Sequence, residues 1–436
     1  MSETSEVSER QVEHVVVLGA SGTMGYGSGA LFAQAAPRVT FLARTKEKAE
    51  AGLAAAIRQV NSPAIAERIT TASYEELPRA LGDADLIFEA LSEDLELKRE
   101  FFERVDAARR PDSIVATVTS GLSINRLAEG RSEAFRRHFL GLHLFNPPHV
   151  IVGTELICGA ETDPGLARFV QRYAEQRLGR RVILAEDTPG FAGNRVGFRV
   201  MNEVAQLAEE YGPALMDQLI GPYTGRALAP LATIDWVGWD VHRAIVNNIY
   251  QLTNDEAHER LALPPRMAAL IERGTLGNKG GGGFFRRTKD KEKLVIDLET
   301  GEYHPLASVK LPDLSFIDEQ IALIRAGRHQ EALAVFAKAP GELARLARRV
   351  IAGYIGYAFS RVGDCAPRIE DIDLIMGTGF NWAPPSALVD LLGLEVTKEL
   401  LAEAGVPLPP LLASAEPGRR LFSHVDLDLA RFFVVR

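Results

Sequence analysis

The chain has 436 residues, 46% hydrophobic and 25% charged, with a formal charge of −9. This is globular composition with enough length for two or three cores, and the net acidity excludes the basic field a nucleic-acid binder displays. Two widely spaced cysteines, Cys158 and Cys365, exclude a disulfide framework, and no apolar run is long enough to span a bilayer, so a cytoplasmic protein is expected.

Residues 1–12, polar and acidic, read as a disordered tail without the basic start and apolar run of a secretory signal. From His14 to Leu184, short apolar runs alternate with helical periodicity, which predicts a doubly wound parallel sheet over 13–187. HVVVLG is the first strand. The turn that follows, with Gly19, Ser21, Gly22 and Gly25, enters a helix at Thr23 and Met24, the arrangement that seats a pyrophosphate on backbone N–H groups. VTFLA is the second strand, and where an acid would hold the ribose hydroxyls of NAD it has Ala43, then Arg44. Arg44 either meets the 2′-phosphate of NADP or stacks on adenine, so NAD and NADP both remain open.

DLIFEA leads from a fourth strand towards a helix with Leu95, Phe101, Phe102 and Val105 on one face. SIVATV, HFLGLH, GTELIC and RVILAE complete the strands. Two of them carry His143 and Glu155, an imidazole and a carboxylate suited to moving a hydroxyl proton.

After Glu186 the pattern becomes helical and repeats. Asp217, Gly221, Asp235 and Gly238 recur as Asp373, Gly377, Asp390 and Gly393, one residue shorter in the middle. The expected division is a helical domain over 188–288, a linker over 289–345 containing a charged surface excursion, and a second helical copy over 346–436.

His143 followed by Asn146-Pro147, Glu155, the TVTSG segment and the DTPGFAGNR segment together resemble the 3-hydroxyacyl-CoA dehydrogenase family, over nearly the whole chain. The duplicated helical region is similar to long members that continue into a crotonase-type domain, which this sequence does not contain. The resemblance implies an α/β Rossmann-like domain followed by duplicated all-α domains, an acyl-CoA substrate, and a monomer or homodimer that binds neither nucleic acid nor membrane. It implies His143 as base, Glu155 as its partner, and Ser120 and Asn194 as polarising groups. Asn146, Glu89 and Lys98 fall at cofactor positions, the last two equally open to a structural role.

Departures are visible too. Gly19, Gly22 and Gly25 are each three apart, one residue longer than the family's usual turn, and Val118 stands where the family has an asparagine. Lys279, beside a glycine-rich turn, is open to steering an acyl-CoA phosphate. Two other readings stay available: a beta-hydroxyacid-type dehydrogenase or reductase acting on a free or carrier-bound acid, and a dinucleotide-binding protein without turnover.

Overall fold

The computed structural model describes residues 10–435, and the chain divides into two compact units between Phe191 and Ala192. The expected tail lies outside the described residues up to position 9. Val12 is buried in the core, so the ordered chain begins earlier than expected.

The first unit is built on one eight-stranded sheet in the order β3-β2-β1-β4-β5-β6-β7-β8. Its strands are β1 (His14–Leu18), β2 (Arg38–Ala43), β3 (Ile69–Ser73), β4 (Leu86–Glu89), β5 (Ile114–Thr117), β6 (Phe139–Leu144), β7 (Gly153–Cys158) and β8 (Arg181–Ala185). The intervening helices are α1 (Thr23–Ala35), α2 (Lys46–Val60), α3 (Leu77–Leu81), α4 (Leu95–Ala108), α5 (Ile124–Ala128), α6 (Glu133–Arg137) and α7 (Pro164–Gln176). Both β2 and β4 pair with β1, so the strand order reverses there and opens a crevice at the carboxyl ends of the strands.

An all-parallel sheet was expected, and only the first six strands meet that expectation. β7 runs antiparallel to β6, and β8 follows β7. The reason is connection length: residues 145–152 are too few for a parallel crossover, which takes about a dozen or more, so the chain must double back. α4 also differs in detail. Phe101, Phe102 and Val105 are buried as the periodicity predicts, but Lys98, not Leu95, completes the buried face.

The second unit is mostly helical. Its first copy comprises α8 (Gly193–Tyr211), α9 (Pro213–Leu219), α10 (Pro230–Val237), α11 (Trp239–Leu252) and α12 (Pro265–Glu272). The segment expected to be a linker is folded: β9 (Phe285–Arg287), β10 (Lys293–Ile296) and β11 (Tyr303–Pro305) form an antiparallel sheet, followed by α13 (Ser315–Arg325) and α14 (His329–Lys338). Leu294, Val295, Ile296, Ile317, Ile324, Leu333 and Phe336 are buried there. Their strand and helix spacing is interrupted by charged residues, which is why the segment reads as a surface excursion. The second copy comprises α15 (Glu342–Ser360), α16 (Ile369–Thr378), α17 (Pro385–Leu392), α18 (Leu394–Glu403) and α19 (Pro410–Ala413), so position 346 falls inside a helix rather than at a boundary.

The repeat persists at the level of single hydrogen bonds. Gly238 and Gly393, at φ 99° and 90°, join equivalent helix pairs. Asp235 accepts the backbone N–H groups of Phe284 and Phe285, and Asp390 accepts those of Leu421 and Phe422. The copies are not separate domains, because equivalent residues pair across a pseudo-two-fold axis. Arg226 and Trp382 form an antiparallel bridge, with Ala383 N–H donating to the Gly225 carbonyl and Ala227 N–H donating to that of Asn381. Arg226, fully buried, lies between the rings of Tyr354 and Trp382, 4.8 Å from each centroid.

Candidate active site

Sheet register places the candidate groups of the first unit. Leu42, Leu18, Glu89, Thr117 and Gly141 lie side by side across five parallel strands. The glycine turn, Arg44, Ser120 and His143 all follow this row by one to three residues, so they emerge at one edge of the sheet.

His143 and Glu155 are directly opposite on β6 and β7, which puts both side chains on one face. His143 Nδ1 donates to Glu155 Oε2 at 2.6 Å, with Glu155 fully buried and His143 4% exposed. That bond fixes the neutral tautomer and leaves the lone pair on Nε2. The rings of Phe145 and Phe191 flank the imidazole, with centroids 4.7 and 5.7 Å away.

The loop between these strands carries Asn146, which is exposed, and is held from below by a residue the sequence reading missed. Arg180 donates to the carbonyls of Pro148, Ile151 and Leu178. Burial without a carboxylate partner holds its pKa below the ordinary arginine value. His149 is half-buried in this loop, and burial with Arg180 nearby lowers its pKa.

Ser120 sits in a turn after β5 whose anchor was also missed. Its backbone N–H donates to Glu93 Oε1 at 2.7 Å, and the Thr119 hydroxyl donates to the same carboxylate. Glu93 also lies 3.5 Å from Lys98, so it bridges the two segments. Only its position four residues after Glu89 could have drawn attention to it. Glu89 itself is fully buried and fully engaged. It accepts from Lys98 Nζ at 2.7 Å, from Thr117 Oγ1 at 2.5 Å and from the Leu91 N–H at 2.6 Å. Lys98 is equally buried, and its pKa stays raised despite desolvation because Glu89 and Glu93 oppose that cost. This pair therefore ties β4 to α4 beneath the crevice.

Further along, Asp187 accepts from Ser123 Oγ, the N–H groups of Ile124 and Asn125, and Asn125 Nδ2. It fastens the DTPGF segment to the start of α5, directly after the Ser120 turn. Asn194 lies in the second unit on the first turn of α8, 4% exposed. The helix N-cap is Ala192, without a side-chain cap, so Asn194 is not the capping residue. Lys279 pairs with Asp240 at 2.6 Å instead of standing unpaired.

The glycine turn fits a dinucleotide pyrophosphate. A Cβ at Gly19, where φ is +81°, would lie 2.3 Å from the Ala90 carbonyl oxygen, and one at Gly25 would lie 2.1 Å from that of Gly19. The longer turn thus still packs backbone on backbone. Gly22 is the N-cap of α1 with no side-chain cap, and α1 has no acidic residue in its first turn. Ser21, Gly22 and Thr23 are exposed and Met24 is half-buried, so the positive end of a 13-residue helix faces outward at this point.

Residues 14–188 match the model of the 3-hydroxyacyl-CoA dehydrogenase NAD binding domain, and residues 190–287 match that of the 3-hydroxyacyl-CoA dehydrogenase C-terminal domain. The chain is 32% identical over 345 residues to a probable 3-hydroxyacyl-CoA dehydrogenase of Bacillus subtilis, covering 78% of this chain and 43% of that protein. It is 30% identical over 206 residues to a probable 3-hydroxybutyryl-CoA dehydrogenase of Deinococcus radiodurans, covering 47% of this chain and 72% of that one. The crystal structure of 3-hydroxybutyryl-CoA dehydrogenase from Escherichia coli K12 shares the fold, with a TM-score of 0.70 at 22% identity over 93% of this chain and 98% of that chain. The chain spans less than half the length of the Bacillus subtilis relative.

Proposed function

This chain belongs to the 3-hydroxyacyl-CoA dehydrogenase family, and on that premise we propose that it interconverts the 3-hydroxyl and 3-keto groups of an acyl-CoA in the cytoplasm. The observation that carries the proposal is the buried 2.6 Å contact between His143 and Glu155 at the carboxyl edge of the sheet.

When bound at the glycine turn, a nicotinamide dinucleotide supplies the two-electron acceptor. His143 Nε2 takes the hydroxyl proton during oxidation and returns it to the ketone oxygen during reduction. Glu155 holds Nδ1 as the donor, so that Nε2 is the nitrogen turned to the substrate, and stabilises the imidazolium that forms, as carboxylate partners of histidine do. Ser120, set by Glu93, donates to a substrate oxygen. Asn146 borders the cofactor on the loop that Arg180 supports.

The test is an absorbance assay of reduced nicotinamide with acetoacetyl-CoA and each reduced dinucleotide in turn. Turnover of the thioester that is lost in His143→Ala supports the proposal. Turnover only with the free acid, or none with any substrate, overturns it.

A further inference from the structure

The end of β2 differs from the rest of the crevice in carrying positive charge where a carboxylate would hold a ribose. Its geometry fixes where that charge falls. The N–H groups of Gly19 and Ala20 both donate to the Leu42 carbonyl at 3.1 Å, so Ala43 and Arg44 lie immediately beside the glycine turn. α2 presses against the same turn, since a Cβ on Gly52 would be 2.2 Å from the Ala20 oxygen. Tyr74, at the end of β3, closes the far side by a 3.1 Å contact between its hydroxyl and Gly19 N–H. The charges of Arg44 and Arg104 both act on this phenol, and Arg104 also donates to the Tyr74 carbonyl.

Ala43 is 1% exposed and offers no polar group, whereas Arg44, Lys46 and Lys48 are exposed. Glu47 is the acid within this stretch, and it is turned onto its own backbone N–H and the Thr45 hydroxyl at the start of α2. The turn between strand and helix is therefore net positive beside the place where the adenosine half of a dinucleotide reaches the strand end.

We infer that Arg44 selects the 2′-phosphorylated dinucleotide, so that this chain binds NADP(H) in preference to NAD(H). A guanidinium fork matches a phosphate in shape and charge, and the missing carboxylate removes the repulsion that excludes a ribose 2′-phosphate. The inference deepens the proposed function by naming its cofactor class, and it rests on dinucleotide binding rather than on turnover.

Calorimetric titration of the full chain with adenosine 2′,5′-bisphosphate and with 5′-AMP isolates the adenosine end, and NADPH and NADH fluorescence titrations repeat the comparison with whole cofactors. The expected result is binding at least about tenfold tighter for each 2′-phosphorylated member, with Arg44→Ala bringing each pair within about twofold. Equal or tighter binding of NADH and 5′-AMP overturns the inference. So does an equal loss for both members in Arg44→Ala, which marks stacking on adenine, and so does an absence of binding by any of them. NADPH binding at this preference without reduction of acetoacetyl-CoA leaves the inference standing and removes the proposed reaction instead.

Discussion

Each unit buries a histidine in hydrogen-bonded surroundings, and the two differ in nearly everything that matters for chemistry. His143 has a carboxylate on one nitrogen and stands at the edge where parallel strands end. His242, on α11, is fully buried and meets an amide. Asn202 uses both N–H bonds on the carbonyls of Arg260 and Ala262, so its oxygen accepts from His242 Nε2 at 3.1 Å. Burial drives the His242 pKa down to about 3, which removes it from proton transfer at neutral pH. Burial alone therefore does not mark a site. A counter-charge and a position at the open end of a sheet do, while the buried polar groups of the helical unit hold its parts together.

Substitutions break this contrast in a graded way. His143→Ala is expected to lower kcat by roughly 10²- to 10⁴-fold, the usual range for a lost acid-base group, and to lower the melting temperature as well, because it takes the imidazole away from the fully buried Glu155 carboxylate. Steady-state assay beside calorimetry checks both halves, and a melting shift with kcat unchanged would make His143 another His242. In the helical unit the main effect moves to stability. Asp235→Ala orphans the N–H groups of Phe284 and Phe285 and the Trp239 indole, and is expected to cost about 3 kcal/mol in urea unfolding. Asp390→Ala removes two such bonds at a side chain 20% exposed, and about 1 kcal/mol is expected. Equal losses would show that the copies carry equal weight.

His242→Phe keeps the ring stacked on Phe198 but strands the Asn202 oxygen, so about 1–2 kcal/mol of stability is expected to go while kcat changes less than about twofold. The smallest effects separate by pH. Asp373, fully buried beside Ser386, has its carboxyl pushed up to about 7 by burial. The folded state then holds the proton more tightly than the unfolded state, so this contribution is complete below about pH 4 and disappears as pH rises through 7. His242 has the opposite sign, stabilising above about pH 6.5 and losing its contribution as pH falls towards 3. Asp373→Asn is expected to gain on the order of 1 kcal/mol at pH 8 and little at pH 5, and His242→Phe to flatten the acid side, both measurable by denaturant unfolding across pH.

Much of this was legible in sequence because it rests on local pattern. The alternation of strands and helices, the glycine turn and the twelve-residue interval from His143 to Glu155 place the candidate groups of the first unit without coordinates. The reversal at β7 was less visible, since periodicity reports faces and not direction. Glu93, Arg180 and Asp187 were missed for a different reason: each acts on a segment distant in sequence, and nothing in its own neighbourhood records the partner. The folded stretch from 289 to 345 was hidden by its charges, which sit outside a core of Leu294, Ile296, Ile317 and Phe336. Asp217 and Asp373 showed the repeat, and packing of one copy on the other is expected from it, but not that Arg226 and Trp382 would form the join.

That meeting has a consequence for symmetry. In a homodimer, a residue lying on the two-fold faces its own copy, so Arg226 would confront another arginine and Trp382 another tryptophan. Carried in tandem, the equivalent positions are free to differ, and a guanidinium rests on an indole instead. The join also cannot come apart on dilution. One polypeptide thereby holds a mismatched, mutually attractive pair where identical protomers would be limited to like against like.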